Sequence, residues 1–122
     1  MTPYHKLPGF EALYLEDSYV IDVRETGRSV MFVMDLVLTE QHPAYQPPKP
    51  NEQYCYHRGQ IEFVGLETVN WIRREFRPTT DPDGSVDYGN IEIFQSTGTA
   101  YQVAGEWGEV HIGAAGAVVA LY

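Results

Sequence analysis

The chain is poor in cysteine, in positive charge and in long apolar runs, and each shortage removes a class of protein. Cys55 is the only cysteine among 122 residues, so no internal disulfide can form and an intracellular protein is the simplest expectation. Lysine and arginine number 8 against 17 aspartates and glutamates, a formal net charge of −9. A field of that sign repels phosphate backbones and anionic lipid, so neither a nucleic acid nor a membrane surface is expected as a partner. It would draw a basic partner inward, although acidity also serves solubility. No stretch approaches the ~18 consecutive apolar residues of a membrane span, and the opening Met1-Thr2-Pro3-Tyr4-His5-Lys6 lacks the apolar core of a signal peptide. The expectation is a cytoplasmic protein. Also missing are a glycine-rich phosphate loop, a nucleophile elbow and a zinc-protease signature, so no cofactor is expected and the balance leans away from catalysis.

The sequence is well supplied with alternating apolar residues and glycine turns. Its length fits a single domain, 1–122, which buries roughly two thirds of the surface that its unfolded chain exposes. Residues 18–25 alternate, with Tyr19, Ile21 and Val23 assigned to the buried face and Asp22 and Arg24 to the other. Thr26-Gly27-Arg28 supplies a hairpin turn. Residues 29–39 follow with Val30, Phe32, Met34, Leu36 and Leu38 on one face. Met31, Val33 and Val37, interrupted by Asp35, lie on the other, the pattern of a strand covered on both sides for part of its length. Residues 40–53 hold Pro43, Pro47, Pro48 and Pro50 and read as an extended strap over one sheet. Residues 54–64 form a strand with Gly59 in its middle, and Gly65-Leu66-Glu67 leads out of it.

Residues 68–76 fit either a helical stripe (Val69, Ile72, Phe76) or a strand (Val69, Trp71), and their β-branched and aromatic content favours the strand. A turn-rich loop spans 77–89. Short strands then cover 90–95, 99–104, 109–112 and 117–122, joined by Ser96-Thr97-Gly98, Gly105-Glu106-Trp107-Gly108 and Gly113-Ala114-Ala115-Gly116. Short strands with frequent glycine turns predict an all-β fold with little or no helix, an antiparallel sandwich or partly open barrel of about seven to eight strands.

Three places carry candidate chemistry. The densest is Tyr54-Cys55-Tyr56-His57. A thiol needs a base to become a nucleophile, and Cys55 and His57 share a strand face. Same-face neighbours on one strand point in parallel, however, and His5, His42 and His111 are scattered, so an inert core thiol is the stronger reading. Gly59 sets the parity. In an unbroken strand Cys55 and His57 side with Ile61 and Phe63, whereas a bulge would turn Tyr54 and Tyr56 inward instead. The nine tyrosines bring recognition to mind, because tyrosine offers rigid, amphipathic contact area. Tyr54, Tyr56, His57 and Trp107 are the candidate binding residues. The third place is Asp81-Pro82-Asp83-Gly84-Ser85-Val86-Asp87, where oxygen side chains alternate as a hard cation would want. Asp81, Asp83 and Asp87 are therefore candidate metal ligands, although the loop lacks the glycine and terminal glutamate of an EF-hand and reads equally as an ordinary turn.

The segment Phe10-Glu11-Ala12-Leu13-Tyr14-Leu15-Glu16-Asp17-Ser18-Tyr19-Val20, followed by a hairpin with a basic turn, resembles the start of small bacterial β proteins. Among these are immunity-type families that neutralise polymorphic toxins. Those families often place His-Asp-Ser before the first strand; here Asp17-Ser18 is kept and Glu16 stands where histidine is commoner. The resemblance covers about the first forty residues and implies a non-enzymatic domain whose surface binds a protein. Two other functions compete with it: a small-molecule-binding or hydrolytic β-barrel using Cys55, His57 or His111, and a self-associating structural domain forming a homodimer through a sheet edge.

Overall fold

The computed structural model describes residues 1–122, and alternation of apolar side chains builds nearly all of it from strands. In chain order these are β1 (Thr2–Pro3), β2 (Tyr19–Glu25), β3 (Val30–Leu38), β4 (Cys55–Arg74), β5 (Thr79–Thr80), β6 (Val86–Asp87), β7 (Ile93–Ser96), β8 (Ala100–Gly105) and β9 (Gly108–Leu121). Seven make one antiparallel sheet in the order β1-β7-β8-β9-β4-β3-β2, and β5 and β6 form a separate hairpin. The protein is all-β, as its pattern predicts, and the sheet does not close into a barrel. The remaining regular structure is two three-residue 3-10 turns, Tyr4–Lys6 and Leu15–Asp17.

β4 and β9 are much longer than the sequence suggests. Residues 68–76 contribute to the far end of β4 rather than to a separate strand, and Gly113-Ala114-Ala115-Gly116 lies inside β9 instead of making a turn. The two strands pair from Gly59↔Leu121 to Arg74↔Gly108. Midway, the core-facing parity changes on both. In β4 the inward residues are Gly59, Ile61 and Phe63, then Leu66, Val69 and Trp71; in β9 they are Leu121, Val119 and Ala117, then Ala114, Ile112 and Val110. The three-residue steps 63 to 66 and 117 to 114 face each other, and a further bulge falls between Leu66 and Thr68. Such irregularities bend a strand sharply.

The sheet therefore folds over at this corner. One half is β2, β3 and the near parts of β4 and β9; the other is β1, β7, β8 and the far parts. The inner faces enclose a single core in which Phe63 stacks on Phe94 at 5.6 Å and meets Tyr101 edge-on at 5.2 Å, while Phe32 meets Trp107 at 5.1 Å.

Two parity questions are decided here. β3 and β4 pair without a break from Val30↔Phe63 to Leu38↔Cys55, so Gly59 is not a bulge. It faces inward where space is short: a Cβ there would lie 2.6 Å from the Ala120 carbonyl oxygen and 3.1 Å from Leu36. Cys55 thus sides with Ile61 and Phe63 and packs against the core, and Tyr56 faces outward. In β2 the expected assignment is corrected. A register shift between Val20 and Asp22 makes Ile21 an extra residue, so Val20 and Val23 face the core while Tyr19 and Ile21 face out.

The corner depends on Gly65, which has φ +63 and lies opposite Ala115, whose Cβ would be 2.6 Å from one added at Gly65. Left-handed backbone and crowding together predict that Gly65→Ala lowers the unfolding free energy by about 2–4 kcal/mol. Urea unfolding followed by tryptophan fluorescence measures this, and a loss under about 0.5 kcal/mol would show that the corner does not need glycine.

Candidate functional site

The outer face of the β2–β3–β4 half gathers polar and aromatic side chains by simple strand register. Tyr19, Asp35 and Arg58 lie opposite one another across the three strands, and Val37 pairs with Tyr56 one step along. Arg58 Nε donates to Asp35 Oδ1 at 2.6 Å. Tyr19 and Tyr56 lie on the strands either side of β3, and their rings reach over it to stack at 5.9 Å. Tyr54 extends the cluster, edge-on to Tyr56 at 6.2 Å and to Tyr14 at 5.9 Å. Its hydroxyl donates to Asp17 Oδ2 at 2.6 Å. Four tyrosines thus run along one surface, over the otherwise buried Val37.

Two loops rise beside this strip. Residues 49–53 of the proline-rich segment border one side and the 81–87 hairpin the other, enclosing a groove of about 650 Å³. Asp35, Glu52, Asp81, Asp83 and Asp87 line it, with Tyr19 and Tyr56 on its floor, against only Lys49 and Arg58 as cations. Arg58 is already engaged by Asp35. A concave surface with this excess of carboxylate beside aromatic faces suits a cationic group: the acids supply charge, and the rings favour a cation over their faces.

The hairpin holds its own carboxylates in place. Ser85 donates its hydroxyl to Asp83 Oδ1 at 2.6 Å, with Asp81 Oδ2 3.3 Å from the same oxygen, and its N–H also bonds Asp83. These bonds hold the Asp83 carboxyl below its ordinary range. Asp87 differs, being 6% exposed and accepting the Gly89 N–H at 2.8 Å. Burial pushes its carboxyl upward despite that bond, and Asp81, Glu106 and Asp35 add to the rise. No group of three or more His, Cys, Asp or Glu is arranged to hold a metal ion. The Asp81, Asp83 and Asp87 side chains border the groove instead of closing around one point.

The expected site residues part company. Tyr54 and Tyr56 join the strip. Trp107 does not: it is wholly buried, its indole N–H donates to the Asn90 carbonyl at 2.8 Å, and its ring stacks on Phe76 at 5.9 Å. The turn between β8 and β9 points it into the core, so Trp107 is a packing residue and not a surface anchor. His57 lines a separate cleft of about 340 Å³ together with Cys55, but no hydrogen bond joins them. The Cys55 sulfur takes the Gln46 N–H at 3.5 Å, and His57 Nδ1 pairs with the Arg58 carbonyl at 2.9 Å, so Nδ1 carries the proton there. His111 lies in the other half of the sheet, its Nε2 2.7 Å from Glu109. Residues missed by sequence reasoning are Tyr14, Tyr19, Asp35 and Glu52. The outward position of Asp35 on β3 was the one available signal, whereas the hidden bulge in β2 concealed Tyr19.

No family model matches the sequence, and no curated protein or solved structure matches it at a significant level. No helix is long and apolar enough to cross a membrane.

The tyrosine strip has a pH signature. The bond to Asp17 pushes the Tyr54 phenol up to about 12, and burial, followed by the adjacent Tyr19 phenol, raises Tyr56 as well. Both favour the neutral form in the folded state. Their contribution is intact below the ordinary tyrosine value of 10.0 and is lost as pH rises through the folded values. Stability is expected to fall between about pH 10 and 12, and Tyr54→Phe should flatten part of that fall. Identical alkaline profiles for the two proteins in urea titrations would count against the Tyr54–Asp17 bond.

Proposed function

We propose that this chain is a non-catalytic binding domain, immunity-like in kind, whose acidic, tyrosine-lined groove receives a basic segment of a protein partner. The groove itself carries the reading: five carboxylates and two tyrosine rings converge there from the sheet, the proline-rich segment and the 81–87 hairpin. The overall charge of −9 supports it by steering a cationic surface toward the molecule. Asp87 supports it too, since a carboxylate buried at the rim against its own solvation is a feature more readily explained by binding than by stability. A second reading, small-molecule binding or hydrolysis, draws on the cleft shared by Cys55 and His57. Ester hydrolysis that disappears in Cys55→Ala would place that reading first.

Asp87 gives a direct check. Its raised folded value means that the wild type loses stability as pH climbs through the carboxylate range above 3.8. Asp87→Asn keeps an acceptor for the Gly89 N–H and removes the charge. The variant is expected to melt higher than wild type at pH 7, with the gap narrowing as pH falls, and yet to bind its partner less well. A variant less stable at pH 7 would contradict the account of Asp87.

The partner is sought by using the full chain as bait against Glu52→Lys/Asp83→Lys bait, both substitutions being at exposed groove positions. The expected result is a basic protein retained by wild type at low salt, with affinity weakened at least tenfold by the charge reversals, about 1.4 kcal/mol. Equal retention by both baits, or binding indifferent to salt, would overturn the groove as the binding surface.

A further inference from the structure

An open sheet must manage its edges, because unpaired backbone N–H and C=O groups invite another strand. Most edges here are blunted. β2 is bonded at Val20 by the backbone of Tyr88 and Gly89, and beyond that it carries Asp22, Arg24 and Glu25. β1 is two residues long and includes Pro3. The far part of β4 bears Glu67, Arg73 and Arg74, and Glu25 reaches across to it, bonding the Trp71 indole N–H at 2.6 Å and Arg74 at 3.2 Å.

One edge has none of these devices. β8 leaves β9 at Gly113, so residues 115–121 are paired only with β4. The segment reads Ala-Gly-Ala-Val-Val-Ala-Leu, without charge or proline, in a molecule of net charge −9. Val118 is 51% exposed on its outer face. On its inner face Ala117, Val119 and Leu121 pack against the core but stay half-exposed, so the core is open along this rim.

We propose that residues 115–121 of β9 pair antiparallel with the same residues of a second copy, forming a twofold homodimer centred on Val118. A second copy fits because the segment is self-complementary. Centring on Val118 sets Ala115 opposite Leu121, Gly116 opposite Ala120 and Ala117 opposite Val119, so every facing pair is apolar. The negative charge of the molecule is no bar. The nearest acid in register is Glu62, opposite Val118 on β4. The two Glu62 backbones would be separated by three strand spacings, ~14 Å, beyond the ~8 Å screening length of physiological salt. A twofold axis normal to the sheet leaves both acidic grooves on the same side of one continuous sheet. The dimer does not depend on the groove binding anything.

Sedimentation equilibrium of the full chain tests the proposal, with Val118→Lys/Ala120→Lys placing facing like charges on the edge. Both side chains are exposed, and their β4 neighbours are Glu62 and Gln60, so the fold should accept them. The expected results are twice the chain mass for wild type and loss of that species in the variant, while Ile93→Lys, exposed on β7, stays dimeric. Should the double variant fail to fold, Val118→Cys in a Cys55→Ser background decides: directly opposed strand residues are close enough for a disulfide, and a crosslinked dimer is expected on oxidation. A wild-type monomer at every soluble concentration, a dimer that survives both lysines, or no crosslink from a folded Val118→Cys protein would overturn the proposal.

Discussion

The pairing of β4 with β9 is the constraint on which the rest of the molecule hangs. It joins strands of 20 and 14 residues and is the only ladder that belongs to both halves of the sheet. Where inward parity changes on both strands together, the ladder turns and brings Phe32 and Phe63 of one half against Trp107, Phe94 and Tyr101 of the other. Without the turn, each half would present one apolar face to water, because a single sheet layer cannot bury itself. Small residues make it feasible: Gly65 provides the left-handed step and Ala115 lies directly beside it.

The same bend decides what is left outside. Folding the inner faces together leaves the outer face of β2, β3 and β4 to solvent, and strand register then lines up Tyr19, Asp35 and Arg58 with Tyr56 beside them. The proline-rich segment and the 79–87 hairpin add walls to what would otherwise be a flat surface. Because the bend carries β8 away with the far half, β9 loses its neighbour beyond Gly113. The acidic groove and the bare strand edge are therefore two consequences of one corner, on different parts of the same half-sheet.

The electrostatics follow the packing. Charges in the groove sit in three settings: Asp83 exposed and held by Ser85, Asp35 paired with Arg58, and Asp87 nearly buried with one backbone donor. Only the last is placed at evident cost, since burial of a carboxylate is offset poorly by a single N–H. A surface designed solely for solubility would keep its acids in water.

By itself the sequence determined the fold class and the faces of β3 and the first half of β4, whereas in β7 the pair Ile91 and Ile93 misleads, since Phe94 is buried and Ile93 is 41% exposed. β3 reads directly, since Val30, Phe32, Met34, Leu36 and Leu38 alternate without interruption and all are buried. The chain's alternation also marked Cys55 as a core-side residue once Gly59 was taken as part of an unbroken strand. What only the tertiary structure decided are the places where alternation fails. The bulge at Ile21 swaps the faces of Tyr19 and Val20, the parity change near Gly65 fuses apparent short strands into β4 and β9, and the turn at Glu106-Trp107 sends an indole inward. The physical reason is common to all three. A period-2 pattern is local, whereas a bulge or bend is fixed by the strand or sheet across from it, and one extra residue reverses every face beyond it.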